Sequence, residues 1–430
     1  MRFKQQFAYA ICILTFLAAF VKVKAEDWPH WRGPLREGIT SETSGYANGA
    51  WPLRTPAWKL QLGTTGESCP IIAQGKLYTM GYANGEDHVY CIDVRSGKIA
   101  WTQSYPSKAR GRYATGDQEL YAEGPLSSPE YDATTGLLYT LSIDGDLNCW
   151  DTRNQGKRIW GFNLYDRFGM TQRPVTGGEV RDYGYTTSPF VYGSWLILEV
   201  GSSQGDIMAF DKKTGGSPVG TPIWKSKMID FAGHTGGLIP INIDGIPCIS
   251  VLSLRNYMVV RLDSGHEGAT MADFPYAAAY AGNVVTPSIW KDYVTLSTAH
   301  GPSDSVIKVT SNGATKVGEM PHTDEGIPVF SGGLLYKASG WLECWRLIPQ
   351  PMKMLWRGDM FGTSGYVILT GDDKLIVSGN NKVELVNLQG KTLSTVRNIP
   401  TGWIMPILAE GRLFFKTDKG ELRCYELTKG

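Results

Sequence analysis

The sequence predicts an all-β fold made of repeated small sheets, and three observations support this prediction. A segment with an alternating apolar strand, a turn at an Asp and a final Trp occupies 89–101, and it recurs at 147–160 and 206–224. Weaker copies lie at 342–356 and 422–430. Alternation of apolar and polar residues is typical of half-buried strands. A unit that recurs about every 40–60 residues indicates a repeat architecture.

Each unit has enough strands for one four-stranded antiparallel sheet. A segment with period-2 alternation, such as 76–82, precedes the repeated strand. In the turn at 93–98, the Asp93 side chain can cap the backbone while Gly97 adopts a positive φ, which predicts a tight hairpin between the third and fourth strands. A Gly followed within a few residues by Pro, as at 66–70, marks the entry to the first strand.

The number of these entries predicts eight blades. They lie near residues 67, 124, 184, 236, 282, 325, 362 and 402. The last unit ends after three strands, and 55–63, which carries Trp58, is the expected fourth. Pairing this segment with the C-terminal unit would close a ring and remove an exposed sheet edge. We therefore predict an eight-bladed β-propeller. A seven-bladed WD-repeat propeller is the competing count, suggested by Trp150-Asp151, although a trailing Gly-Lys-x-x-Trp is not a WD-repeat feature.

The chain divides into three segments. We expect a signal peptide at 1–25, an N-terminal leader at 26–54 and a single propeller domain at 55–430. Outside the first segment, no stretch is long and apolar enough to span a bilayer.

The first segment has the features of an export signal. Arg2 and Lys4 precede an apolar run, and small residues at Val23 and Ala25 offer a cleavage site before Glu26. Cys12 is a poor lipidation site, because Ile rather than a small residue precedes it. The expected location is therefore the periplasm or the extracellular medium.

The charge balance argues against a general polyanion binder. The chain has 42 Lys and Arg against 41 Asp and Glu, and the first 25 residues hold four basic and no acidic residues, so the mature net charge is about −3. No nucleic-acid partner is expected, and we expect a monomer.

Cysteine usage indicates packing. The third-strand slot that holds Ala209 in one blade holds a cysteine in four others: Cys91, Cys149, Cys344 and Cys424. Such a slot suits a small buried apolar side chain, and equivalent slots on neighbouring blades are too far apart for a disulfide. No zinc-type Cys/His spacing occurs, so no structural metal is expected. Cys69 and Cys248 receive no assignment.

The recurring tryptophans are expected to be structural. A large flat ring on an outer strand can wedge between neighbouring blades and bury area worth about 2–3 kcal/mol. Stacking on a ligand is the alternative. The residues are Trp58, Trp101, Trp160, Trp224 and Trp356.

The repeated Cys-x-Asp-x-x-(Ser/Thr)-Gly-Lys-x-x-Trp resembles the repeat of the PQQ-like, quinoprotein-type β-propellers. The opening DWPHWRGPLREG at 27–38 is similar to the leader of exported PQQ-like repeat proteins of planctomycete-type bacteria. The resemblance covers roughly 27–430, and it implies the fold more specifically than an activity.

Two branches of this family imply different functions. The quinoprotein dehydrogenases imply PQQ and Ca²⁺ at the centre of the ring, an aspartate base and often an adjacent Cys pair. The BamB-like propellers lack the cofactor and act as protein-binding scaffolds in the bacterial envelope. This sequence has no adjacent cysteines, and no Asp/Glu/Asn calcium set matches the dehydrogenase pattern. Its lean blades fit the BamB-like branch, whereas the missing lipidation signal departs from it.

We therefore expect an exported, non-catalytic propeller that binds an unidentified protein or glycan in the envelope and needs no cofactor. The alternative is a PQQ- and Ca²⁺-dependent oxidoreductase, similar to alcohol dehydrogenases, that uses a central pocket. A carbohydrate-active enzyme is a third possibility. No catalytic residue can be assigned.

Two long loops at 107–123 and 165–185 join the first three blades on one face. Because long loops on a rigid scaffold often carry function, this face is the expected recognition surface. Polar and aromatic residues just before the inner strands should converge on the axial opening, where a pocket is the default expectation. They are Tyr121, Glu123, Asp182, Tyr183, His234, Tyr280, His322 and Asp324.

Each candidate also has a structural interpretation. His234 and His322 could bind backbone groups instead of acting as bases. Glu123 and Asp182 could form an acid/base pair or belong to a solvated rim. The loop arginines could clamp a carboxylate or sulfate of an acidic glycan, or they could pair with the interleaved acids. These arginines are Arg110, Arg112, Arg167, Arg173 and Arg181.

Overall fold

The computed structural model describes residues 26–112, 123–174, 182–279, 283–298, 301, 304–320 and 322–427. In this part the chain forms eight four-stranded antiparallel sheets arranged as the blades of a β-propeller, which confirms the predicted fold class and blade number. The predicted entries each lie a few residues before the first strand of a blade. Helical structure within the described ranges is short and includes α1 (Leu164–Phe168) and a 3-10 turn at Thr152–Asn154.

Each blade uses its strands in spatial order from the axis to the rim. Strand β1 (Trp58–Gln61) comes first in the chain but belongs to the last blade. Blade 1 contains β2 (Ile71–Ala73), β3 (Lys76–Ala83), β4 (Glu86–Asp93) and β5 (Ile99–Pro106). Blade 2 contains β6 (Glu130–Asp132), β7 (Leu137–Leu141), β8 (Asp146–Asp151) and β9 (Lys157–Asn163). Blade 3 contains β10 (Phe190–Tyr192), β11 (Trp195–Ser202), β12 (Gly205–Asp211) and β13 (Trp224–Lys225).

The remaining blades follow the same plan. Blade 4 contains β14 (Ile239–Ile243), β15 (Ile246–Leu252), β16 (Asn256–Arg261) and β17 (Thr270–Pro275). Blade 5 contains β18 (Ser288–Trp290), β19 (Tyr293–Leu296), β20 (Asp304–Thr310) and β21 (Gly313–Met320). Blade 6 contains β22 (Val329–Ser331), β23 (Leu334–Lys337), β24 (Gly340–Arg346) and β25 (Lys353–Gly362). Blade 7 contains β26 (Tyr366–Leu369), β27 (Lys374–Gly379), β28 (Lys382–Asn387) and β29 (Thr392–Arg397). Blade 8 contains β30 (Ile407–Ala409), β31 (Arg412–Lys416) and β32 (Glu421–Glu426), to which β1 adds the fourth strand.

The last blade joins the two ends of the described chain. Strand β1 runs antiparallel to β32, with Trp58 opposite Cys424 and Gln61 opposite Glu421. The rim strand of this sheet therefore comes from the segment that precedes blade 1.

The inner strands of neighbouring blades run in the same direction, as parallel bridges from Ser188 to Gly237 and from Ile327 to Tyr366 show. The ring consequently has two distinct faces. We call the face with the fourth-to-first-strand connections and the second-to-third-strand hairpins the loop face. The opposite face, with the remaining hairpins, is the hairpin face.

The repeated turn has the predicted chemistry. In blade 1, Ser96 N donates to Asp93 Oδ1 at 3.0 Å, and Gly97 has a φ of 68°. The ring of Trp58, from the neighbouring blade, covers this glycine so closely that an added Cβ would lie 2.6 Å from it. Trp58 Nε1 also donates to Val94 O at 2.9 Å.

All five recurring tryptophans make this contact with the turn of the next blade. In each case the glycine has a positive φ, and a Cβ would lie within about 3 Å of the indole. The pairs are Trp58 with Gly97, Trp101 with Gly156, Trp160 with Gly215, Trp224 with Gly268 and Trp356 with Gly390. The rings therefore lie between neighbouring blades.

Most of the core also lies between blades. One buried cluster joins Tyr139 and Leu147 of blade 2 to Leu198 and Phe210 of blade 3. The six described cysteines are buried, unbridged thiols, and the four in equivalent positions occupy third strands as expected. Among the described residues, no helix has the length and apolar character needed to cross a membrane.

Candidate functional site

The axis of the ring is filled by residues 28–38, which we call the axial plug. The leader enters at the hairpin face, where Gln74 N donates to Asp27 Oδ2 at 3.1 Å. Trp28 then pairs with Ile72 of the first inner strand through two backbone hydrogen bonds of 2.8 Å. Trp28 is buried, with 2% of its surface exposed. The plug therefore begins as an extra bridge against blade 1.

The apex of the plug reaches the level at which the inner strands begin. The indole of Trp31 lies against Gly236 and Gly237, which lead into blade 4, and a side chain at either position would collide with it. Arg32 is 1% exposed. Its guanidinium donates to Pro287 O at 3.0 Å and to Pro328 O at 2.7 Å. One arginine thus ties blade 5 to blade 6.

A buried ion pair fixes the returning half of the plug. Arg36 Nη2 lies 2.5 Å from Glu130 Oε1, and His30 Nδ1 lies 2.8 Å from Glu130 Oε2. Burial alone would raise the pKa of Glu130, but the charge of Arg36 and the contact with His30 hold it below its ordinary value. The Arg36 guanidinium also lies 4.3 Å from the centre of the Phe190 ring in blade 3.

The last residues of the plug reach the remaining blades. Leu369 N of blade 7 donates to Gly38 O at 2.9 Å, and Met405, which leads into blade 8, lies against Gly38. The leader therefore contacts the inner edge of every blade. The sequence predicted an N-terminal leader at 26–54 but no position for it in the fold. The two tryptophans and two arginines between positions 28 and 36 could have indicated a buried segment.

On the loop face, three of the nominated residues meet between blades 3 and 4. Tyr183 N donates to His234 Nε2 at 3.3 Å, and the two rings meet edge-on with centroids 5.0 Å apart. Asp182 Oδ1 lies 4.0 Å from His234 Nε2. Arg173, from the same loop as Asp182, completes the group with a 2.7 Å contact from Nη1 to Asp182 Oδ1. We call these four residues the loop-face cluster.

The charged groups of this cluster bind one another and nearby backbone groups. Arg173 also donates from Nε to Ala232 O at 2.6 Å, and Asp182 Oδ2 accepts Arg173 N at 2.8 Å. Burial would raise the pKa of Asp182, but the charge of Arg173 and the contacts with His234 hold it well below its ordinary value. A carboxylate kept ionised in this way is a poor proton donor near neutral pH. The arrangement stabilises the loops and favours the structural interpretation of Asp182 and His234.

A buried carboxyl pair lies directly beneath the cluster. Ser253 Oγ is 2.7 Å from both Glu199 Oε1 and Asp206 Oδ2. Gly233 N donates to Glu199 Oε1 at 2.9 Å, so the pair also holds the residue that precedes His234. The sequence analysis did not identify this pair, because its members lie inside strands with no distinctive spacing.

His322 and Asp324 form a second group at blade 5. His322 Nε2 lies 3.3 Å from Asp324 Oδ1, and its Nδ1 lies 3.6 Å from the buried Asp304 Oδ1. Burial raises the pKa of Asp304 to about 6, although hydrogen bonds from Thr323 and Ser297 oppose the increase. This group lies in the connection from blade 5 to blade 6, where Lys337 Nζ donates to His322 O at 3.3 Å and Asp324 N donates to Ser339 Oγ at 2.9 Å.

The other nominated residues do not join these groups in the described part of the chain. The Glu123 side chain is exposed, and its carbonyl oxygen accepts from Thr65 Oγ1 at 3.1 Å. Tyr121 and Tyr280 lie outside the described residues, as does Arg181. Of the six candidates that the structure describes, three form one group, two form a separate pair and Glu123 joins neither.

Three of the four described loop arginines, Arg110, Arg112 and Arg173, pair with acids, in agreement with the second interpretation of these residues. Arg110 Nη2 lies 2.6 Å from Asp166 Oδ2. Arg112 Nε lies 2.7 Å from Asp144 Oδ2, and Asp144 Oδ1 also accepts Arg110 N at 2.8 Å. Arg167 donates instead to the backbone oxygen of Gly220 at 2.9 Å. These contacts anchor the bases of both long loops, and the second loop begins with the short helix α1.

A small cavity of about 10 Å³, enough for about one water molecule, lies beside the loop-face cluster. Arg173 and the rings of Tyr165, Tyr185 and Phe231 form part of its wall. Tyr185 is fully buried and donates to Val200 O at 2.8 Å. The cavity is thus lined by aromatic faces and one cation that is already paired.

Several solved structures have a similar fold. BamB from Moraxella catarrhalis aligns with a TM-score of 0.57 and 14% identity over 86% of this chain and 99% of its own. Quinohemoprotein alcohol dehydrogenase from Comamonas testosteroni aligns with a TM-score of 0.58 and 13% identity over 94% of this chain and 81% of its own. A europium-containing methanol dehydrogenase gives 0.56 and 12% over 90% and 89%. These similarities establish the fold shared by the two branches.

Among curated proteins, the quinohemoprotein alcohol dehydrogenase ADH-IIG of Pseudomonas putida is 25% identical over 186 residues. That match spans 42% of this chain and 22% of the relative. No family profile matches the chain. The comparisons therefore identify a propeller of the PQQ-like and BamB-like type without distinguishing the two functions.

Proposed function

We propose that the protein is an exported, non-catalytic propeller that binds a protein or glycan of the bacterial envelope through its loop face. The observation that carries the proposal is the axial plug. A ligand that used the centre of the ring would need the space that Trp28, Trp31 and Arg32 occupy between the inner strands. Recognition is therefore assigned to the rim of the loop face, where the two long loops are anchored.

The chemistry of the loop face supports a binding role. Asp182 is committed to Arg173, and Asp144 is committed to Arg112 and to the backbone of the same loop. Buried, mutually paired charges hold a surface in one shape more effectively than they transfer protons. A preorganised surface reduces the ordering cost of association. The similarity to BamB over nearly the full length of that protein agrees with this proposal.

The second candidate is a PQQ-dependent oxidoreductase, and the partial match to ADH-IIG favours it. PQQ at the ring centre would require the position held by the plug. The sequence has no adjacent cysteines, and within the described ranges no three His, Cys, Asp or Glu side chains are grouped to hold a metal ion. The residues present do not match the expected cofactor set, so we derive no catalytic step.

Two measurements separate the candidates. Purified protein is titrated with PQQ and Ca²⁺, and the bound quinone is followed by its absorbance after desalting. We expect no stoichiometric retention. A one-to-one bound quinone would overturn the scaffold proposal.

Affinity capture from native envelope extract tests the binding surface. The informative variant shortens the loop at 107–123, and the matched control is Lys213→Glu, an exposed position on the hairpin face. We expect one partner to be retained by the wild type and the control and lost with the shortened loop. Equal retention by all three proteins would contradict a recognition role for the loop face.

A further inference from the structure

The first described residue, Glu26, is fixed to the fold on several sides. Its backbone nitrogen lies 2.6 Å from Glu42 Oε1. Its own carboxylate accepts Thr40 Oγ1 and Ser41 N, both at 2.6 Å. Its carbonyl oxygen accepts Glu410 N at 3.3 Å. The nitrogen of Glu26 is thus held against a carboxylate instead of pointing into solvent.

The carboxylate that receives this nitrogen is itself positioned by the ring. Glu42 Oε2 accepts Gly411 N, from the first hairpin of blade 8, at 3.0 Å. The backbone oxygen of Glu42 accepts Gly371 N, from the first hairpin of blade 7, at 2.8 Å. Glu42 is therefore fixed independently of Glu26.

The surroundings are rich in negative charge. Asp27 and Glu410 lie here together with Glu26 and Glu42. Asp27 Oδ2 accepts Gln74 N at 3.1 Å, and Glu410 Oε1 accepts Gly75 N at 2.9 Å, both from the first hairpin of blade 1. Burial raises the pKa of Glu410, and the charge of Asp27 raises it further. Arg412, one of the basic groups that act on Glu410, is paired with Glu426 at 3.1 Å. A positive charge at the Glu26 nitrogen would relieve this repulsion, whereas a peptide N–H carries no charge.

The sequence supplies an independent reason for such a charge. Val23 and Ala25 are the small residues expected before a signal-peptidase cut, and Glu26 is the first residue after it. We propose that the chain is cleaved between Ala25 and Glu26 and that Glu42 is the binding site for the α-ammonium group that cleavage creates. The cut consumes one water molecule. Ala25 gains a carboxylate, and Glu26 keeps the amine, which takes up a proton from solvent.

The bound terminus would act on the plug. Trp28 follows Glu26 by two residues, so an ion pair at Glu26 fixes the start of the segment that fills the axis. A charge-assisted hydrogen bond is roughly twice as strong as a neutral one. Processing therefore strengthens the attachment of the plug to blades 7 and 8.

The first test is the identity of the mature terminus. The full chain is expressed in a bacterial host with its own leader, and the exported protein is examined by intact mass and N-terminal sequencing. We expect a protein that begins at Glu26. A terminus at any other residue would overturn the proposal.

The second test separates an ammonium from a peptide N–H. The exported form is compared with a form in which Gly-Ser precedes Glu26, each with and without Glu42→Gln. We expect Glu42→Gln to lower the Tm of the exported form by about 2 °C or more, and to have at most half that effect in the extended form. Glu426→Gln, which removes an exposed acid paired with Arg412, is the control and should affect both forms equally.

The pH dependence adds a further criterion. An α-amino group has an ordinary pKa of about 7.7–8.0, and a carboxylate partner raises it in the folded state. The stabilisation should be complete at pH 7 and absent at about pH 10.5. Equal effects of Glu42→Gln in the two forms, or an effect that persists at high pH, would show that Glu42 binds an uncharged N–H.

Discussion

Two fully buried carboxyl groups, Glu199 and Asp206, are bridged by one hydroxyl group, that of Ser253. A hydroxyl has one proton to donate, yet its oxygen lies 2.7 Å from both carboxyls. One of the two contacts therefore requires a proton on a carboxyl group. Burial raises the pKa of both acids, and the charge of Glu199 raises that of Asp206 further.

This proton gives stability a defined dependence on pH. The folded state keeps a proton that the unfolded chain releases above about pH 4. Because the folded state binds more protons, stability decreases as pH rises above that value. The loop face should share this pH dependence, because Glu199 Oε1 also accepts a hydrogen bond from Gly233 N, next to His234.

Asp206→Asn tests the shared proton, because an amide is neutral at every pH and can donate to Ser253 Oγ. We expect the Tm of the variant to fall less than that of the wild type as pH rises from 5 to 9, so that the difference in Tm grows in favour of the variant. Thermal unfolding followed by circular dichroism between pH 5 and 9 measures both. Parallel curves for the two proteins would mean that the pair carries no extra proton.

At this scale the sequence nominated candidate loop positions, but it could not predict their partners. Asp182, Tyr183 and His234 were identified because each precedes an inner strand, and they do meet. Arg173 was named either as a ligand clamp or as the partner of an interleaved acid, and it pairs with Asp182. His234 precedes the next blade, so its contact with Asp182 depends on how blades 3 and 4 pack.

At the scale of the elements, the repeated unit is a hairpin whose turn is covered by the preceding blade. The motif contains both halves of this contact, an Asp-x-x-x-Gly turn and a terminal Trp. Nothing in the motif indicates that the Trp of one copy meets the Gly of the next. A spacing that fits one blade is equally compatible with contacts inside a blade, so the pairing needed the structure.

Trp160→Ala should lower the free energy of unfolding by about 3 kcal/mol or more, because the ring is 6% exposed and fills the space beside Gly215. Chemical denaturation measures the loss, and ligand binding at the loop face should be unchanged. Trp341→Ala is the matched control, since that side chain is 42% exposed. A similar loss for both variants would argue against the packing role.

Substituting two of the turn glycines separates two costs of a Gly→Ala change. One is the steric cost of a Cβ against an indole ring, and the other is the conformational cost of a positive φ. Gly156 has a φ of 70°, and a Cβ there would lie 2.6 Å from Trp101. Gly245 has a φ of 86°, and a Cβ there would meet no described atom within 4 Å beyond its chain neighbours. Gly245→Ala should cost about 1 kcal/mol for the backbone alone, and Gly156→Ala should cost clearly more. Equal losses of unfolding free energy in the two variants, measured by denaturant unfolding, would show that the contact with the indole ring adds no cost.

For the whole molecule, the axial plug turns a ring of eight similar sheets into a unit with a filled centre. The eight blades were predictable from the repeat, because every copy carries the same hydrophobic pattern. The plug was not, because residues 28–38 form no regular strand or helix with a recognisable period. Their role depends on eight inner strands that exist only after the ring has assembled.

Arg32→Met should lower the free energy of unfolding by about 2–4 kcal/mol, because buried Pro287 O loses the Arg32 donor and Pro328 O keeps only Ser288 Oγ. The exposed Arg54, at the end of the leader, provides the control Arg54→Met. Denaturant unfolding with probes on blades 5 and 6 should show one transition at lower denaturant. A loss confined to the leader, with the blades unaffected, would contradict the bridging role.

The pairing of β1 with β32 has a consequence for biogenesis. Trp58 is synthesised long before its partner Cys424, so the early strand must wait, unpaired, until translation is nearly finished. Contacts between such distant positions make folding slow, and an unpaired strand can pair with another chain in the meantime. A product that stops short of β32 would expose that strand permanently, which makes premature termination a route to aggregation.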